Sequence, residues 1–260
     1  MSKFVLAAAV LALGAAAASA EVKTKKVEYK HGDATFVGHL AWDDAVSGKR
    51  PGVLVVHEWW GLNAHAKERA EKLAKLGYVA FACDMYGDGK LAAHPDDARK
   101  MSGEVRKNVK EWQARAAAAL TVLSESELCD ADRLGAMGFC FGGSTALQLA
   151  ASGAKLKAVA TFHAALPPFK DGEAKAIAAK VLICHGKDDL FISPESIAAF
   201  KAAMDAAKVS YTFEEYEGTV HSFTDANADK AMIKGMAYNK ATDEKSWASM
   251  TTLFAEAFKK

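Results

Sequence analysis

The chain has 260 residues, 51% of them hydrophobic, with 33 basic and 32 acidic side chains and a net charge of +1. That length suits one large α/β domain with a substantial core. The even charge balance, free of basic blocks, argues against nucleic acid or an anionic membrane surface as a partner.

The first twenty residues stand apart. Lys3 gives a positive start, residues 4–18 form an alanine-rich apolar stretch, and Ala18-Ser19-Ala20 supplies a small-residue cleavage pattern. This is the layout of a secretory signal peptide cut before Glu21, and it is too short and too weakly apolar for a membrane span. A periplasmic or secreted protein is expected, with residues 21–260 as one domain, free of the membrane and monomeric.

Alternating segments at 27–29 and 34–42, broken by His31-Gly32-Asp33, predict a hairpin on an antiparallel edge. Val53-Leu54-Val55-Val56 is a continuous apolar run, as expected of a strand buried on both faces. Helical spacing follows over 64–76 and ends at Gly77. The cycle then repeats: strand 78–83, a loop rich in Gly, Asp and Pro, one long helix over 96–123, strand 134–139, helix 144–151 and strand 158–162. Strand 181–184, helix 194–207, strand 211–216 and a last helix over 245–258 complete the pattern. Strands alternating with helices predict an α/β fold with a mostly parallel sheet covered on both faces.

Reactive groups in such a sheet belong beyond the carboxyl ends of its strands. Gly138-Phe139-Cys140-Phe141-Gly142-Gly143 follows one strand and opens a helix, so it is the G-x-S-x-G elbow with cysteine in place of serine. A sharp strand-to-helix turn leaves no room for side chains beside the nucleophile, hence the glycines. It also sets the thiol at a helix N-terminus, where amide dipoles favour a thiolate. Gly186-Lys187-Asp188-Asp189 follows the strand at 181–184 and offers an orienting carboxylate, Asp189, with Asp188 as competitor. His221 follows the strand at 211–216. Nucleophile, acid, histidine is the chain order of the α/β-hydrolase fold. The backbone N–H groups of Phe141 and Trp59 are the expected oxyanion donors, and Trp60, Tyr86, His163 and Phe223 the expected pocket residues.

Two other patterns fail. His57-Glu58-Trp59-Trp60-Gly61 lacks the second histidine of a zinc-protease motif, and His94-Pro95 interrupts the helix that Gly87-Asp88-Gly89-Lys90-Leu91-Ala92 would open in a dinucleotide site. No metal or cofactor is expected. Of the four cysteines, Cys83, Cys129 and Cys184 read as buried thiols, with a Cys83–Cys184 or Cys129-containing bridge as the alternative.

Together, His57-Glu58-Trp59-Trp60-Gly61, Cys83-Asp84-Met85-Tyr86-Gly87, the Cys140 elbow, Gly186 to Asp189 and His221-Ser222-Phe223 resemble the dienelactone hydrolase family, over nearly the whole mature chain. The resemblance implies hydrolysis of a small ester or lactone. It also implies that Glu58 contacts the resting thiol and takes part in its activation when substrate displaces it. The family holds its substrate's carboxylate with two arginines. Here Asp225 stands four residues beyond the histidine, and Gly87-Asp88-Gly89 stands where the other falls, with Lys90 as a weaker substitute. A dienelactone carboxylate is therefore not the expected natural ligand. A thioesterase or acyl-transfer enzyme using Cys140, and a binding protein that has lost turnover, are the alternatives.

Overall fold

The short apolar runs become the inner strands of one eight-stranded sheet in the structure, a computed structural model that describes residues 21–170 and 172–259. The expected signal peptide lies outside the described residues. In chain order the strands are β1 (Val22–His31), β2 (Ala34–Asp43), β3 (Arg50–Val56), β4 (Val79–Cys83), β5 (Cys129–Phe139), β6 (Ala158–Phe162), β7 (Lys180–Gly186) and β8 (Tyr211–Tyr216). The helices are α1 (Ala64–Lys75), α2 (Pro95–Arg106), α3 (Val109–Ser124), α4 (Phe141–Ala151), α5 (Pro194–Ala206) and α6 (Lys240–Ala257). The sheet runs β1-β2-β4-β3-β5-β6-β7-β8. β2 pairs antiparallel with both β1 and β4, and every pair from β4 to β8 is parallel.

A strand's period of two divides one apolar run between two cores. Leu54 and Val56 of β3 pack with Trp112 and Leu120 of α3 and Leu147 of α4. Val53 and Val55 pack on the other face with Ala66 and Leu73 of α1 and Met250 and Phe254 of α6. This is why the inner strands read as unbroken hydrophobic runs. Among the described residues, no helix is long and apolar enough to cross a membrane.

β1, β5 and α4 begin earlier than expected, and two helical regions differ in ways that a cap explains. The single helix over 96–123 is two helices, because Asn108 takes an extended conformation and its side chain accepts from Glu111 N–H at 3.2 Å, capping α3. Asparagine competes with the helical backbone in this way, and apolar periodicity alone does not register it. The last helix starts earlier than 245, capped by Asn239, whose side chain accepts from Thr242 N–H at 3.2 Å. The alternative disulfide is also settled. Cys83 and Cys184 are free thiols on β4 and β7, four strand positions apart, or roughly 19 Å at about 4.8 Å per strand.

Candidate active site

The parallel strands deliver Glu58, Cys140, His163, Asp189 and His221 to the sheet's carboxyl edge. Between β5 and α4 there is one residue, Cys140, at φ 50° and ψ −113°. A non-glycine residue held there stores about 1–3 kcal/mol, which the surroundings must over-determine. They do so through two glycines. A Cβ on Gly138 would lie 2.1 Å from the Gly142 carbonyl oxygen, and one on Gly142 would lie 2.2 Å from that of Val56. Cys140 N–H donates to Phe162 O at 3.0 Å, fixing the turn to β6. Of the four cysteines only this one is partly exposed.

His221 Nδ1 donates to Asp189 Oδ2 at 2.7 Å, and Asp189 Oδ1 accepts from Phe191 N–H at 2.8 Å. Asp189 is buried and Asp188 exposed, so the carboxylate on the imidazole is that of Asp189. The Cys140 side chain hydrogen-bonds the same imidazole. Burial disfavours the imidazolium, but the Cys140 sulfur and the Asp189 carboxylate outweigh it and raise the His221 pKa to about 10. A parallel bridge to Met236 holds the histidine loop, with His221 N–H donating to Gly235 O and Ala237 N–H to His221 O, both at 3.1 Å.

The segment after β3 is braced by side chains that sequence reasoning did not assign. Met85 N–H donates to His57 Nε2 at 3.2 Å, so Nδ1 carries the proton and donates to Glu58 O. In a trans peptide the N–H points away from the C=O. Fixing Glu58 O on His57 therefore aims Trp59 N–H the opposite way. Tyr86 O–H donates to Trp59 O at 2.8 Å, and Asp84 holds that tyrosine's loop by accepting from the N–H groups of Tyr86, Gly87 and Gly89.

The Glu58 carboxyl group is 2% exposed. Ser222 O–H donates to Oε1 at 3.4 Å, His163 Nε2 lies 3.6 Å from the same oxygen, and Oε2 has no hydrogen-bond partner among the described residues. Burial, then the charge of Asp225, raise its pKa to about 7. No hydrogen bond joins it to Cys140 among the described residues.

Cys140 and His221 open onto a cavity of about 380 Å³ whose walls include Trp59, Arg99, Ser102, Arg106, Phe191 and Met236. The expected pocket residues are mostly elsewhere. His163 and Phe223 are fully buried, their rings edge to face at 5.1 Å between centroids. Trp60 lines a neighbouring cavity with Glu58 and Asp225, and Tyr86 a groove on the other side of α2. Lys90 is in that same groove, paired with Asp88 at 3.1 Å, so it does not serve the sulfur. Nor does Asp225 face the sulfur, being 8% exposed in the Glu58 cavity. The cations lining the Cys140 cavity are Arg99 and Arg106 of α2. Arg99 pairs with Asp96 at 3.1 Å, and the Arg106 guanidinium lies 5.2 Å from the Phe141 ring centroid. A signal for them exists, since Arg99, Ser102, Gly103 and Arg106 are spaced i, i+3, i+4, i+7, one face of a helix.

For metal-type donors, Glu58, His65 and Asp225 bring ligand atoms within 4.8 Å of one another.

A mostly parallel sheet between helical layers, with these groups beyond its strand ends, defines the α/β-hydrolase fold. Residues 36–258 match the dienelactone hydrolase family, and the chain belongs to it. A dienelactone hydrolase-like promiscuous phosphotriesterase from metagenomic libraries superposes with a TM-score of 0.90 at 39% identity, over 93% of this chain and 100% of that one. A structure designated m3DLH gives 0.89 at 44% identity, over 92% and 99%. Among curated relatives, the protein usf of Aquifex pyrophilus is 27% identical over 210 residues, covering 79% of this chain and 88% of that one.

Proposed function

We propose that this hydrolase cleaves a carboxylic ester or lactone through an acyl-cysteine intermediate. The observation that carries the reading is the hydrogen-bonded series from Cys140 through His221 to Asp189, set on a strained turn that opens to a cavity. His221, whose pKa the sulfur and the Asp189 carboxylate raise to about 10, takes the thiol proton and gives a thiolate–imidazolium pair. The thiolate attacks the carbonyl carbon, and Trp59 and Phe141 N–H groups receive the developing oxyanion. The imidazolium gives its proton to the leaving alkoxide. Neutral His221 then takes a proton from the water that attacks the acyl-cysteine; the C–S bond breaks, the carboxylic acid leaves, and the imidazolium returns its proton to the sulfur. Asp189 keeps the imidazole in one tautomer throughout.

Arg99 and Arg106 give the cavity a positive side, and Phe191 and Met236 an apolar one. The preferred substrate in this reading is an ester or lactone with an anionic group near an apolar acyl or alkoxy portion. That revises the expectation drawn from Asp225 and Gly87 to Gly89, because α2 supplies the cations those positions lack. In line with the pattern of residues 1–20, we read the enzyme as exported.

The test is a panel of neutral lactones, anionic dienelactones, simple esters, thioesters and a phosphotriester on reduced protein, with and without iodoacetamide. Phosphotriesters are included because of the named activity of the 39% identical relative. The reading expects ester or lactone turnover that iodoacetamide and Cys140→Ala both abolish. Thioester turnover alone favours the acyl-transfer alternative, and no turnover at all favours a binding protein.

A further inference from the structure

A second cluster adjoins the Cys140 cavity without opening into it. Glu58, in the loop after β3, His65, in the first turn of α1, and Asp225, in the histidine loop, are all buried, at 2%, 8% and 8% exposure. Each presents a ligand atom within 4.8 Å of the other two. The His65 ring nitrogen Nε2 lies 3.2 Å from Thr224 O and 3.3 Å from Arg69 Nε, whose N–H points at it. Nδ1 is shielded from solvent and has no hydrogen-bond partner among the described residues. Glu58 Oε2 is in the same condition. Leaving such atoms unpaired in a protein interior costs about 1–3 kcal/mol each.

The cluster also sets two carboxylates close together. Arg69, packed beside them, is committed to Asp243 at 2.8 Å and to Thr224 O. A cavity of about 240 Å³, lined by Glu58, Asn63, Ser222, Asp225 and Asn227 among others, leads to the pair.

We propose that Glu58, His65 and Asp225 form a binding site for a divalent transition-metal ion. One imidazole and two carboxylates suit ions such as zinc or manganese. A metal-bound histidine ordinarily donates its other N–H to a carbonyl or carboxylate, and with Nδ1 on the ion His65 Nε2 has Thr224 O at 3.2 Å as that acceptor. Ligands bound at about 2.1 Å stand roughly 3–3.5 Å apart, so the side chains draw in by no more than about 1–2 Å. The ion occupies both orphaned atoms, separates the two negative charges and ties Glu58 to α1, away from the sulfur. Water from the 240 Å³ cavity completes its coordination.

The test is calorimetric titration of zinc chloride into protein carrying Cys140→Ser, which removes the reactive thiol as a competing ligand. One saturating equivalent is expected, weakened at least tenfold by His65→Gln and by Asp225→Asn. Thermal melts establish that each variant is folded, and cobalt(II) gives a second readout through visible bands that both variants lose. Absence of saturable binding to the folded Cys140→Ser protein overturns the proposal. So does binding that either folded variant leaves unchanged.

Discussion

Two buried carboxylates belong to this site, Asp189 against the His221 imidazole and Glu58 against that of His163, and they are treated in opposite ways. Both oxygens of Asp189 are taken, one by His221 at 2.7 Å and the other by Phe191 N–H at 2.8 Å. Glu58 has one long contact with Ser222, one oxygen with no partner, and a pKa raised to about 7 by burial and by Asp225. A fully satisfied carboxylate stays put, which suits a group that orients an imidazole. An under-satisfied one near its titration point changes charge or partner at little cost. The site thus pairs a fixed acid with an adjustable one.

The strongest test of that contrast compares Asp189→Asn with Glu58→Gln. The first should lower kcat for a simple ester by about 10³–10⁴-fold, because the imidazole loses its tautomer and its counter-charge. The second should cost clearly less, and equal losses would break the distinction. Next in size is His57→Leu, which removes the donor fixing Glu58 O and thereby the aim of Trp59 N–H. A loss of about 10–10²-fold in kcat with KM little changed is expected, with partial recovery in His57→Gln. A change confined to KM would place the oxyanion donors elsewhere. Arg106→Ala should raise KM about 3–10-fold for an anionic ester and leave a neutral one unaffected, as befits an exposed, solvent-screened charge. Equal effects on both esters would remove the cationic wall from the account.

The smallest effect concerns stability. The folded protein holds the Glu58 proton more tightly than the unfolded chain, with a pKa of about 7 against an ordinary 4.5. Glu58 therefore withdraws stability as pH rises from about 4.5 to 7 and beyond. Glu58→Gln cannot ionise, so its melting temperature should match the parent near pH 4.5 and exceed it by a few degrees at pH 8, at about 2–4 °C per kcal/mol. His221, charged up to about pH 10, acts alike in both proteins over that range. A difference that does not grow with pH would mean that Glu58 is solvated.

The sheet and the chain order of Cys140, Asp189 and His221 were readable because they rest on local causes. Parallel strands buried on both faces are continuous apolar runs, and a crowded turn admits only glycine at 138 and 142. What escaped notice depends on long-range placement. Arg99 and Arg106 occupy one helical face, but only the path of α2 makes that face a wall of the cavity that Cys140 lines. Asp225 is close to His221 in sequence, but Ser222, at φ 57°, belongs to a turn after which the chain leads it to Glu58. His163 and Phe223 follow strands as active-site residues do, yet both are buried and pack on each other. Position after a strand marks the site's neighbourhood, and burial decides which residues face the substrate.

The acyl-enzyme offers the most direct measurement. Protein mixed with excess p-nitrophenyl acetate, quenched in acid within the burst and digested, should carry one acetyl group on the peptide containing Cys140, and His221→Ala should prevent its formation. Steady turnover with that peptide unmodified at every quench time, or acetyl on another residue that is required for activity, would contradict the account.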